Sequence, residues 1–233
     1  MLALCSYRLR VTLSGRWSLV VLALVWCLGA ALHAAQLSSL YSALAYVTLA
    51  AYAIRSDGLV VGKSSPSQVL LGVLPHVLVF ALLGPVSLAI IVLVSPYRIV
   101  SAALSAAVEE AFFRGVMTRE LERFSPRLAG YATSAAFAFF NMPPSHTLGA
   151  ASLLPSYFLL GEALRACYAK RGWAGAFLMH FTYNVAGYMY VVINEPHSVL
   201  VVTFSHVLLY VVARTLFSDP PQGSINTPNT VNA

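Results

Sequence analysis

Two short constellations place charged or hydrogen-bonding groups inside otherwise apolar runs. The first reads Glu109-Glu110-Ala111-Phe112-Phe113-Arg114. On a helix Glu110 and Arg114 lie one turn apart and can face each other. Glu109 is rotated by about 100° from its neighbour. One carboxylate can thus be neutralised by the arginine while the other stays available. An available carboxylate in an apolar, partly wet site suits a general base acting on water. The plainer reading is a Glu–Arg pair that locks helix packing. The second constellation is His180-Phe181-Thr182-Tyr183-Asn184, with His180 and Asn184 one turn apart on one face. Imidazole and carboxamide can both donate to an oxyanion. The imidazole could also orient a water, bind a metal or bridge two helices.

The elements that carry these residues are membrane helices. The chain has 233 residues, 59% of them hydrophobic and 9% charged, with a mean hydropathy of +0.76. A soluble domain carries about 25% charged residues, so this composition excludes a water-facing surface and makes lipid the solvent. At roughly 20 residues per span the length suits seven or eight crossings. Apolar runs fall at about 17–35, 38–54, 69–94, 97–123, 127–142, 149–169, 173–194 and 197–217. The expected fold is therefore all-α, with about eight transmembrane helices. Basic residues before the first run resemble a signal peptide, but its length and the lack of a clean cleavage site favour a retained span. Residues 1–96 are expected to form N-terminal membrane helices, 97–217 the core that carries both constellations, and 218–233 a disordered polar tail.

Charge sets the expected orientation. The formal net charge is +6, which in such a chain means basic cytoplasmic loops and not nucleic-acid binding. With eight spans and the N-terminus inside, thirteen of the fourteen Lys and Arg residues fall on the cytoplasmic side or the cytoplasmic halves of helices, leaving Arg98 outside. This predicts N-in, C-in. Cys5, Cys27 and Cys167 are too scattered for a disulfide framework or a zinc knuckle. Ionisable groups within spans are functional candidates by default. Glu162, however, has Arg165 three positions on and reads first as a structural pair. His76 and His206 read as helix-bridging hydrogen bonders. Tyr183, Tyr188 and Tyr190 could line a pocket or sit at an interface.

The ordered set of segments resembles a known family, the CPBP intramembrane proteases, also called Abi or CAAX-protease-like. Glu109-Glu110-x-x-x-Arg114 followed by Gly115 looks like its EExxxR motif. Phe137-Ala138-Phe139-Phe140-Asn141 aligns with FxxxH, and His180-x-x-x-Asn184 looks like HxxxN. Phe158-Leu159-Leu160-Gly161 before a basic turn also matches, and the resemblance covers roughly residues 97–190. It implies a multi-pass endopeptidase, expected in a prokaryotic plasma membrane, that acts on a membrane-anchored or lipidated protein or peptide. It also implies roles: Glu109 activates water, Glu110 with Arg114 holds it in place, and His180 and Asn184 stabilise the oxyanion. The family has been labelled metalloprotease, yet a metal-free glutamate mechanism is also attributed to it. Two carboxylates, one histidine and an arginine make a poor zinc shell, so no cofactor is expected, although a divalent metal such as zinc is not excluded.

The second motif departs from the family pattern. Position 141 is asparagine where histidine is expected. Asparagine hydrogen-bonds water but takes no proton. Three readings stay open. Glu109 acts as sole base; His146, beyond Pro143-Pro144, fills the gap; or the chain is a binding protein or chaperone on a protease fold. A transporter using the paired acids is a further class. On the expected topology Asn141 lies near the outer end of its helix and His180 in the inner third of its own. A kinked or displaced helix is needed to bring them together.

Overall fold

The computed structural model describes residues 17–34, 38–54, 59–84, 88–90, 94–142, 151–192 and 196–217. The elements are α1 (Trp17–Ala34), α2 (Ser38–Ile54), α3 (Pro66–Leu83), β1 (Leu88–Ile90) and α4 (Pro96–Glu109). The chain continues through a π-helical segment (Glu110–Met117), α5 (Thr118–Glu122), α6 (Pro126–Phe140), α7 (Leu154–Gly187), β2 (Tyr190–Val192) and α8 (Pro196–Phe217). The fold is helical apart from one three-residue antiparallel ladder that pairs Leu88 with Val192 and Ile90 with Tyr190.

Local chemistry sets the helix starts. α3, α4 and α6 each open with Ser-Pro, at Ser65-Pro66, Ser95-Pro96 and Ser125-Pro126. Proline at the first helical position has its φ already set and lacks an N–H that would have no partner there. Gln68 Oε1 accepts from the Ser65 N–H at 2.5 Å, and Ser95 Oγ accepts from the Arg98 N–H at 3.4 Å. Each bond satisfies a donor left over at a helix start or beside it.

Two expected runs need correction. The run at 69–94 is not one helix, because α3 ends at Leu83 and Gly84 turns the chain at φ 65. Pro85 then offers no N–H to continue the helix. Likewise the run at 173–194 leaves the helix at Gly187, and Tyr190–Val192 become β2. The runs at 149–169 and 173–194 are joined in α7 across a break at Gly172, where φ is 69 and ψ −167. The break frees N–H groups at the start of the second half. Val60 and Val61 carbonyls accept from the Trp173 and Ala174 N–H groups at 2.7 Å each, and the Lys63 N–H donates to Arg171 O at 3.0 Å. An extended segment before α3 thus caps the second half of α7.

Large apolar side chains face outward, with Leu24, Val47, Leu70, Leu104 and Leu200 all more than 60% exposed. The apolar core also buries Glu109, Glu110, Glu162, Arg114, His76, His180, His206 and Gln68. An apolar exterior around buried ionisable groups is the arrangement a lipid solvent allows. Among the described helices, Pro66–Leu83 and His197–Phe217 are long and apolar enough to cross a membrane by length and composition. The expected disordered tail, His146, Arg8, Arg10, Arg16 and Arg55 lie outside the described residues.

Candidate active site

The site begins where α4 passes into the π-helical segment. Glu109 is the last α-helical residue and Glu110 the first of the wider helix. π-segments inside α-helices occur frequently at functional sites. Here the Phe113 carbonyl takes its partners five residues on, from the Thr118 N–H and from Thr118 Oγ1 at 2.8 Å. Both carboxylates are buried, and they face different neighbours, as their rotation on the helix requires.

Glu109 faces α2 and α6. Tyr46 OH donates to its Oε1 at 2.8 Å, and Asn141 Nδ2 donates to its Oε2 at 3.2 Å. Asn141 caps α6, and the same amide donates to Phe137 O at 3.1 Å. With its N–H groups used in this way, the Asn141 carbonyl oxygen is the atom left to accept from a water.

Glu110 faces α7. His180 Nδ1 lies 2.8 Å from its Oε1, and Arg114 Nε lies 3.6 Å from its Oε2. The expected Glu110–Arg114 pair is therefore present, with His180 added to it. Arg114 is itself buried; its Nη2 donates to Gly161 O at 3.2 Å, and its guanidinium sits 4.6 Å from the Phe137 ring centroid. Phe137 also meets the His180 ring edge-on at 5.6 Å. Phe137 is thus a spacer between the arginine and the imidazole. Gly161 permits this packing, because a Cβ there would meet Ser134 Cβ at 3.1 Å and Phe137 at 3.3 Å.

Asn184 does not touch either glutamate. Its Nδ2 donates to Ser105 Oγ at 3.3 Å, and Ser105 lies one helical turn before Glu109. His180 and Asn184 therefore dock α7 onto α4 at two successive turns. The structure brings Asn141 and His180 to one site through adjacent carboxylates, and the helix that carries His180 is kinked at Gly172.

Sequence reasoning missed Tyr46, Ser105 and the role of Phe137. Ser105 carried a signal, standing four positions before Glu109. Tyr46 carried none, being one tyrosine in an apolar helix far from any motif. The remaining polar residues fall largely as expected. Glu162 pairs with Arg165 at 2.6 Å and accepts from Ser134 Oγ at 2.7 Å. His76 Nδ1 meets Tyr190 OH at 2.8 Å, and His206 Nε2 meets Tyr183 OH at 2.8 Å. Both histidines bridge elements. Among the described residues, no three His, Cys, Asp or Glu side chains are grouped to hold a metal. The donor chemistry fits poorly too, since the one histidine here is engaged by Glu110 and a guanidinium stands beside the same carboxylate.

A family model described as "Type II CAAX prenyl endopeptidase Rce1-like" matches residues 71–186, about half of the chain. The chain belongs to the CPBP, or CAAX-protease-like, family. No curated protein and no solved structure matches it. Membership in the CPBP family carries an integral membrane location and protease activity as a class. The matched region contains all three motif segments, including the one that ends in Asn141.

Proposed function

We propose that this CPBP chain is an intramembrane endopeptidase that cleaves a lipidated, membrane-associated protein or peptide with water activated by Glu109. The carrying observation is the division of labour between adjacent carboxylates. Glu110 is held by His180 and Arg114, whereas Glu109 accepts from two neutral donors among the described residues, Tyr46 and Asn141. Glu109 is thus the carboxylate with basicity to use. In this reading a water lies between Glu109 and the Asn141 carbonyl oxygen. Glu109 takes one proton as the water oxygen attacks the scissile carbonyl carbon. It then returns that proton to the departing amine as the C–N bond breaks. Such acid–base transfer contributes about 10²–10⁴-fold.

The tetrahedral oxyanion needs donors. His180 Nδ1 faces Glu110, so Nε2 is the nitrogen left for the substrate, and oxyanion donation requires a proton there. Asn184, one turn on, is the second donor. The N-terminal helices share in the site, because Tyr46 of α2 reaches Glu109; the core of 97–217 is completed from 1–96.

Eight crossings fit the observed contacts. Glu120 of α5 is met by the Ser18 N–H at the start of α1 and by Tyr52 OH near the end of α2. The Val60–Lys63 segment before α3 meets the Arg171–Ala174 turn. These contacts gather alternate helix ends at one basic pole, which we assign to the cytoplasm on the positive-inside rule.

The test uses purified protein in detergent with a farnesylated CAAX peptide and its unprenylated twin, read by mass spectrometry. The proposal expects the prenylated peptide to be cut within its C-terminal motif and the twin to be spared. Binding of the prenylated peptide without cutting is the outcome expected of a second reading, a binding protein on the same fold. Asn141 supports that reading, because it occupies the place beside the base without being able to carry a proton.

A further inference from the structure

α6 and the first half of α7 pack in a fixed register. Gly130 meets the Arg165 side chain. Gly161, one turn back along α7, meets Ser134, one turn on along α6. The two helices are therefore antiparallel here. A further turn on each sets Tyr157 level with Ala138, in the last turn before Asn141. Helical rotation then aims the side chain, because successive residues turn by about 100°. Ser156 Oγ lies 3.2 Å from Thr203 Oγ1 of α8, and Phe158 lines an apolar groove with Ala135 and Ala138 of α6. Tyr157 stands between those two directions and points into the bundle.

Two further observations place it at the site. Tyr157 interacts electrostatically with Glu109 and with Tyr183, which stands in the turn that follows His180. Its hydroxyl is also uncommitted. Among the described residues Tyr157 Oη has no hydrogen-bond partner, and the side chain is half-buried and not sealed in. Other tyrosines of this region are engaged, Tyr46 with Glu109, Tyr183 with His206 and Tyr190 with His76. A hydroxyl turned inward in a membrane bundle calls for a partner, because lipid supplies none. The substrate can.

We infer that Tyr157 is a further catalytic residue, whose hydroxyl donates to the oxyanion of the tetrahedral intermediate. The inference rests on the reading in which water activated by Glu109 is the attacking group. A phenol carries its proton at neutral pH and donates one hydrogen bond. His180 already commits one ring nitrogen to Glu110, and Asn184 donates to Ser105. Tyr157 has no such prior duty, so its donor is free to meet the carbonyl oxygen as the water attacks beside Asn141. Donors set in advance where charge develops contribute most in a site that excludes water. No proton leaves Tyr157. The hydrogen bond strengthens as the oxyanion forms and weakens when the C–N bond breaks and the carbonyl returns.

The test compares wild type with Tyr157→Phe on the farnesylated CAAX peptide. It also measures binding of that peptide with a phosphinate, a tetrahedral anion, in place of the scissile amide. Tyr157→Phe should lower kcat about 10²-fold with KM little changed. Its affinity for the phosphinate peptide should fall by a similar factor. Melting temperature should hold, because the hydroxyl has no partner among the described residues to lose. Unchanged phosphinate affinity in Tyr157→Phe overturns the inference whatever the rates, and so does a rate loss matched by lower melting. Failure of wild type to cut counts against the proposed function and leaves the binding comparison to decide on Tyr157. A wild-type preference for phosphinate over amide that Tyr157→Phe abolishes then sustains the donor, and no preference overturns it.

Discussion

At the scale of the residue, the site rests on two carboxylates that are neighbours in sequence and differ in surroundings. Tyr46 donates to Glu109 at 2.8 Å, and a hydrogen bond to a charged group contributes about 1.5–3 kcal/mol. Removing it with Tyr46→Phe lets Glu109 leave its aim. We expect kcat on the prenylated peptide to fall roughly tenfold with KM little changed, since the hydroxyl positions the base and does not bind substrate. Asn141→His supplies a second proton acceptor 32 positions from Glu109 in sequence and, in the fold, beside it. It should raise kcat by roughly tenfold, within the range of one acid–base partner, measured as initial rates at matched concentrations. A drop in rate would mean that the asparagine is itself the tuned partner. The Glu110–Arg114 pair was legible in the sequence because helical spacing alone sets it. The Glu109–Tyr46 and Glu110–His180 contacts were not, because 63 and 70 residues separate the partners, and only the packing of α2 and α7 on α4 decides them.

At the scale of the element, close approach depends on small residues. α3 packs on the second half of α7 at Gly72, where a Cβ would meet Met179 O at 2.4 Å and Thr182 Oγ1 at 2.0 Å. The first of these is backbone, which has no rotamer to escape into, and small residues at membrane helix contacts serve this end. Gly72→Ala should separate the helices and shift His180, which follows Met179. We expect a lower melting temperature in detergent together with a loss of cleavage of about tenfold or more, since a 1 Å misplacement can cost 10²-fold. Unchanged melting and rate would contradict the packing. Most helix limits were readable from apolar runs. The misreadings at 69–94 and 173–194 share one cause. Apolar composition does not distinguish a helix end from a short strand, and the Leu88–Ile90 and Tyr190–Val192 ladder is set by pairing across the fold. The π-segment was not read from the sequence, where Glu110–Met117 continues the same apolar run as α4.

At the scale of the whole molecule, ionisable groups buried within an apolar core and large apolar side chains exposed outside fit a bundle in lipid, and basic residues gather at one pole. The assignment of that pole to the cytoplasm predicts opposite accessibility for Lys63 and Arg98. In a cysteine-free background, Arg98→Cys should react with a membrane-impermeant maleimide in intact cells, whereas Lys63→Cys should react only after lysis. Labelling of both from outside would contradict the eight-span arrangement. The proposed function turns on one carboxylate, Glu109, which accepts from Tyr46 and Asn141, so the most direct measurement removes its basicity and keeps its shape. Cleavage of the farnesylated CAAX peptide is compared between wild type and Glu109→Gln, with melting temperature recorded for both. Water activation by Glu109 predicts a rate at least about 10²-fold lower in the variant, with melting preserved; equal rates from two folded proteins would contradict it.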